Sequence, residues 1–527
     1  MHKFGGTSLG NSERIAAATQ ILLRAARTER IVAVVSATAG TTNALLEAAE
    51  SARSGHASRW RATLDAIRDR HLRLARAVAA NELQKSARSG GVAPYRSSII
   101  AGRSEPRSPE AGPRGANTRG ANARGAKSNG ALAIVAEHER LLAELEAVLS
   151  GISLLRELSD RSRDAVAAFG ELLCAPIIAA ALQSAGLSAA AVDARRLVRT
   201  DDRHGRASAD LAETRRSARG VLLPLLSRGV VPVVTGFIAR GPDGATTTLG
   251  RSGSDTTSAL LGAALGARRI VIWTDVDGVL SADPRLVPRP RLLPRLTYRE
   301  AAELTYFGAK VLHFPAMIPA IAQEIPIVVR NSFKPSLPGT TIDALGSTGK
   351  RVAGRDRASA HAGGIAAISA IRGLATVSLD GKGMVGVPGI AARAFSAVAR
   401  ARVSVLMFSQ ASSEQNICMV VAEEDRARSL RALREEFAPE IALGRLDGVS
   451  AHGPVAAIAA VGEGMRGRRG IAARVFSAVA RAGVNVEAIA QGSSEVNISF
   501  IVEDGDAPRA VAAVHRLCVE RVPRGGP

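Results

Sequence analysis

The sequence predicts an α/β fold: a mostly parallel sheet sandwiched by helices, followed by two copies of a smaller βαββαβ module. Three observations carry this. First, short apolar runs at 31–35, 230–234 and 270–273 alternate with helical patterns near 42–52, 164–184 and 256–266. Apolar strands alternating with helices mark a parallel sheet covered on both faces. Second, each run ends in small polar residues: Ser36, Thr235-Gly236 and Thr274-Asp275. In open α/β sheets, ligands bind beyond the carboxyl ends of the strands. Third, residues 389–420 and 470–501 align without gaps at an offset of 81, with 20 identities in 32 positions. Each copy reads as a turn, an amphipathic helix, a strand, a polar turn and another strand. That unit has the size of one small module, and two such modules pair readily.

Size and composition narrow the function. At 527 residues the chain exceeds one core, so several domains are expected. Three scattered cysteines, Cys174, Cys418 and Cys518, argue against a disulfide framework and for a reducing, cytoplasmic setting. None has metal-ligand spacing. No apolar run nears the length of a membrane span, so no membrane partner is expected. The net charge of +21 invites a nucleic-acid reading, but aromatics make up only 3%, too few for stacking platforms. No nucleic-acid partner is expected. Residues 85–130 hold nine cations against two acids and carry the short repeat Gly-Ala-Asn-x-Arg. They read as a disordered insertion that supplies a third of the net charge. Residues 343–363, rich in Gly, Ser, Ala and Arg, read as a linker.

Chemistry concentrates in four clusters. Lys3-Phe4-Gly5-Gly6-Thr7-Ser8 places one cation beside paired glycines, just ahead of a helix pattern. Backbone N–H groups there can face anionic oxygens, and the ammonium supplies a point charge. With only seven lysines against many arginines, a retained lysine suggests that a compact ammonium is needed. Gly250-Arg251-Ser252-Gly253-Ser254-Asp255 stands at another helix start. Arg251 can grip a carboxylate in bidentate fashion, while Asp255 suits orienting a lysine or a metal-bound phosphate. Thr274-Asp275-Val276-Asp277-Gly278, followed by Asp283-Pro284-Arg285, suits a ribose or base and a phosphate. Phe307-Gly308-Ala309-Lys310 brings a further cation.

Together with Ser36-Ala37, Thr42-Asn43 and Phe169-Gly170-Glu171, these pieces resemble the aspartokinases of the amino acid kinase family. The two repeats resemble the paired ferredoxin-like ACT domains of the same enzymes. The match is nearest to the kinase half of bifunctional aspartokinase/homoserine dehydrogenases, through Gln410-Ala-Ser-Ser-Glu414 and Gln491-Gly-Ser-Ser-Glu495. The resemblance implies a catalytic domain over 1–342, then ACT regions over 364–452 and 453–522. It implies transfer of phosphate from ATP, with Mg²⁺, to the β-carboxylate of L-aspartate. This is the first step toward lysine, threonine and methionine.

By the same resemblance, Lys3 stabilises the transferring phosphoryl group and Asp255 orients it. Gly5, Gly6 and Ser36 contact phosphates. Arg251 binds the α-carboxylate of aspartate and Glu171 its α-ammonium, with Thr42 and Ser254 completing the pocket. Thr274, Asp275, Arg285 and Lys310 hold ATP. Gln410 and Gln491 correspond to effector-binding glutamines. Threonine is the expected inhibitor with lysine as alternative, acting on a homodimer or homotetramer joined through the ACT domains. Three departures stand out: Phe314 where the family has Pro, Leu280 where it has Tyr, and only two residues ahead of Lys3. A non-catalytic amino-acid sensor with a relic kinase domain is the rival reading. Another amino acid kinase, acting on glutamate or carbamate, is the third.

Overall fold

A computed structural model describes residues 1–89, 122–308, 312–344, 364–492 and 494–519. They form two compact units, Met1–Gly278 with His313–Asp343, and Val279–Leu312 with Ala344–Pro527. Residues 279–312 therefore group with the C-terminal unit, although the expected boundary at 342 put them in the first.

The sheet of the first unit contains β1 (His2–Phe4), β2 (Ala33–Val35), β3 (Ala189–Val192), β4 (Val231–Thr235), β5 (Ile270–Thr274), β6 (Ile327–Asn331) and β7 (Thr340–Asp343). Their order is β7-β6-β5-β1-β2-β4-β3. All neighbours are parallel except β6 and β7. Alternation along the strands sends side chains to two cores. Val34 and Val234 join Trp60, Leu64 and Leu145 on one face. Phe4, Val35 and Trp273 join Ile15, Leu22 and Ile178 on the other. β1 is only three residues long, yet it lies mid-sheet with parallel neighbours on both sides. His2 stacks on Trp273 and accepts its indole N–H at 3.1 Å, which fixes the neutral Nε2–H tautomer. Burial pushes the His2 pKa down to about 3.

The expected helices are present as Thr41–Arg53, Asp160–Ser184 and Gly253–Leu265. Asp160–Ser184 corrects one expectation. Its length, and a mean hydropathy of 2.1 over an 18-residue window, would allow a membrane span, but 89% of that window is buried inside the fold. It is a core helix. Two long helices, Ala57–Ser89 and Asn122–Leu155, flank the segment read as an insertion. Residues 85–89 and 122–130 are thus helical rather than disordered. They continue helices already nucleated elsewhere along their length, where adding a residue costs less than starting a new turn. Residues 90–121, and the linker over 345–363, lie outside the described residues.

The second unit holds β8 (Ala367–Asp380), β9 (Met407–Gln410), β10 (Asn416–Ala422), β11 (Gly448–Val461), β12 (Ala488–Gln491) and β13 (Asn497–Glu503). Their order is β9-β10-β8-β11-β13-β12. The two modules are interleaved. β8 is irregular between Ile371 and Leu374, around Gly373 at φ +70. Beyond the bend, 374–380 serve the first module and share its core with Val449. Before it, 367–371 pair with 457–461, and Ile368 packs in the second module's core. The fourth strand of the second module thus comes from ahead of the first module, not from the region 453–522.

Candidate active site

Four strand ends meet at the carboxyl edge of the first sheet. The Gly5 N–H donates to Trp273 O at the end of β5 (3.2 Å). The Ser36 N–H donates to Phe4 O (3.1 Å), and the Gly236 N–H to Val35 O (2.8 Å). The loops close tightly because two glycines allow it. A Cβ on Gly6 would lie 2.8 Å from Ala37 O, and one on Gly236 would lie 2.5 Å from Ser254 Oγ. Between these loops is a cavity of about 360 Å³, lined by Lys3, Gly6, Ser36 to Asn43 apart from Thr41, Glu171, Phe237 and Gly250 to Asp255 apart from Arg251.

The charged groups there are nearly dry. Lys3 Nζ lies 2.5 Å from Asp255 Oδ1, with the two side chains 11% and 10% exposed. At that distance the ammonium gives one of its three donors to Asp255 and keeps the others for another anion. Ser36 Oγ donates to Ser254 Oγ at 2.8 Å. Helix Asp160–Ser184 brings in Glu171, whose Oε1 accepts the Ala37 N–H at 3.0 Å. Its Oε2 is buried without a partner. Burial raises the Glu171 pKa to about 8, against the pull of the Ala37 N–H and of Lys3.

The structure thus brings Lys3, Gly6, Ser36, Thr42, Glu171, Ser254 and Asp255 together around one cavity, with Gly5 at its edge. Arg251 is exposed between lining residues Gly250 and Ser252. Thr274 and Asp275 lie at the end of β5, where the Thr274 hydroxyl donates to Asp275 Oδ1 at 3.1 Å. Arg285 belongs to the other unit, its guanidinium gripped by Asp283, which raises the Arg285 pKa and lowers that of Asp283. Lys310 lies outside the described residues.

Sequence reasoning missed several neighbours. Phe237 lines the cavity at φ +67, a conformation rare for a bulky side chain and typical of functional sites. Its place one residue past a strand-end glycine was the available signal. Asn331 donates to Asp277 Oδ1 at 2.6 Å, and Ser332 Oγ lies 2.8 Å from Ser8 Oγ. Asn331 ends β6 and Ser332 follows it, and this strand was not read from the sequence. In the second unit, Gln410 and Gln491 end the edge strands β9 and β12, both exposed. Among the described residues, the one cluster with metal-ligand spacing is His452, Glu487 and Glu503, exposed and in this second unit.

Comparisons agree with this geometry. Residues 1–331 match the amino acid kinase family, and 377–437 and 458–517 match ACT domains. The bifunctional aspartokinase/homoserine dehydrogenase 1 of Zea mays is 34% identical, over 98% of this chain and 50% of its own length. The chain therefore spans about half the length of such bifunctional relatives. Aspartokinase 3 of Arabidopsis thaliana is 32% identical, over 98% of this chain and 81% of its own. The crystal structure of E. coli aspartokinase III with aspartate and ADP superposes with a TM-score of 0.69 at 27% identity, covering 98% of this chain and 99% of that one. The chain belongs to the amino acid kinase family, among the aspartokinases that carry C-terminal ACT domains.

Proposed function

We propose that this chain is an aspartate kinase, converting ATP and L-aspartate to ADP and 4-phospho-L-aspartate, the first step toward lysine, threonine and methionine. The observation that carries the reading is the buried, unpartnered Oε2 of Glu171 in the cavity that also holds Lys3. A carboxylate in that setting calls for a cationic ligand group, and an amino acid's ammonium fits. Lys3 then meets the anionic end of the reaction. A carboxylate is already a nucleophile, so no general base is needed. Catalysis reduces to positioning and to neutralising charge as it spreads over the phosphoryl oxygens. Asp255 holds the Lys3 ammonium in place. Ser36, Thr42 and Ser254 line the substrate's side, and Arg251 takes its α-carboxylate.

Thr274 and Asp275, with Arg285 and Lys310, are assigned to ATP. Support comes from the relative solved with ADP and aspartate. Mg²⁺ enters with the phosphates. At the cavity, the acidic groups are Glu171, which suits an ammonium, and Asp255, which is paired with Lys3. This donor set does not fit a resident divalent ion.

Regulation is assigned to the ACT pair. Gln410 and Gln491 are assigned to an amino-acid effector, threonine first and lysine second. A lysine complex is known for the E. coli relative. The edge strands also expose Phe408 and Ile489 at equivalent positions of the repeat, which suits pairing with a second copy. Aspartate-dependent ADP release, titrated with threonine and with lysine, tests the whole reading. Folded protein without turnover would sink it.

A further inference from the structure

Helix Ala57–Ser89 contributes no lining residue to the cavity, yet two of its residues reach the loops that do. Arg70 Nη1 donates to Ala39 O at 2.7 Å, and Arg70 Nη2 donates to Gly10 O at 3.0 Å. One planar guanidinium thus ties the loop after β1, which follows Lys3, to the loop after β2, which carries Ser36. Both acceptors are backbone carbonyls, so the pair reads distance rather than charge. The rigid fork of an arginine can span two such acceptors, whereas a lysine serves them as a point donor.

The next residue, His71, fixes the same loop a second time. Its Nδ1 donates to Ile67 O at 2.9 Å, which leaves Nε2 as an acceptor. The Thr38 hydroxyl lies 3.4 Å from Nε2 and 2.6 Å from the Thr41 hydroxyl. All three side chains are buried. The chain of hydrogen bonds therefore has one direction, from Thr41 through Thr38 to His71. The backbone held this way presents Ala37 N–H to Glu171 and Ser36 Oγ to Ser254.

We infer that Arg70 is a positioning residue of the kinase cleft, with His71 as its partner. It sets the spacing between the Lys3 loop and the 36–41 loop from behind, while the Gly6–Ala37 approach sets it from the front. The inference rests on the kinase reading of the same cavity. Displacing a reacting group by about 1 Å can lower turnover on the order of a hundredfold without any contact to substrate.

The test compares full-length wild type with Arg70→Lys and Arg70→Met. Aspartate-dependent ADP release and amide hydrogen exchange over 5–10, 36–43 and 488–503 are measured well below the melting temperature. Arg70→Met is expected to lose about thirtyfold in kcat. Exchange in both loops should speed up about tenfold, and 488–503 should not change. Arg70→Lys should fall between the two. If Arg70→Met does not fold, Arg70→Lys decides by the same two readouts. Wild-type activity and loop protection in Arg70→Lys, or in a folded Arg70→Met, would overturn the inference. An inactive wild type would instead remove the kinase reading, and loop exchange would still decide whether Arg70 sets the spacing.

Discussion

The cleft of the first unit and the edge strands of the second handle polar groups in opposite ways. In the cleft, Lys3, Asp255 and Glu171 are nearly dry, and one carboxylate oxygen has no partner. On the edges, Gln410 and Gln491 stand in water at strand ends. A buried carboxyl oxygen without a partner is poised to gain much from a ligand, because its desolvation has already taken place. An exposed amide gains little from any one contact and suits reversible sensing. Under the proposed function, the difference separates a group that drives chemistry from one that only reports a concentration.

The comparison breaks first at Lys3. Lys3→Met is expected to lower kcat about a thousandfold, roughly 4 kcal/mol of transition-state stabilisation. Near-normal turnover in ADP-release assays would place the chemistry elsewhere.

A second effect concerns the buried histidine behind the cleft. Burial holds His71 neutral, with its pKa lowered to about 4 from 6.5. Below pH 6.5 the unfolded chain takes up a proton that the folded chain refuses. Stability from this site is therefore complete above 6.5 and lost as pH falls toward 4, by about 3 kcal/mol. Urea midpoints of wild type and His71→Asn across that window measure it, and equal slopes would refute it.

Glu171 gives a smaller effect, in a higher pH window. Its pKa is raised to about 8, so the empty cleft at neutral pH holds mostly the protonated acid. Aspartate kcat/KM should rise as pH passes through about 8, because only the ionised form receives the ammonium. Glu171→Gln keeps an acceptor for Ala37 N–H. It should raise the aspartate KM about thirtyfold, near 2 kcal/mol, and abolish the pH step.

Gln410→Ala and Gln491→Ala should produce the smallest change in turnover, within about twofold, because exposed groups contribute little to the fold. Inhibition by the effector should weaken with each. Loss of basal kcat would mean that the edge strands support the cleft itself.

Much of this was legible from residues. β2, β4 and β5 stood out as apolar runs with polar exits, and the 81-residue offset exposed both modules. Lys3 and Asp255 were paired on paper by motif alone and lie in contact. What stayed hidden depends on long-range partners. The pairing of 367–371 with 457–461 has no local signature, since the aligned repeat begins later at 389. Arg70 and His71 look like ordinary residues of a charged helix face, and only the fold turns them toward two loops. Phe237 gives no warning of a positive φ, because surrounding structure imposes that conformation.

The bent strand β8 also has a consequence for synthesis. Residues 367–371 leave the ribosome before the first module exists, but their partners at 457–461 emerge only after that module is complete. The first module closes on its own contiguous stretch, whose ends meet where Thr376 pairs with His452. The second cannot close until the last strands arrive, and the edge of 367–371 that will meet 457–461 stays open in the meantime. One module is nested in the other like a clause within a sentence, so the inner one can be read first and the outer one only at the end.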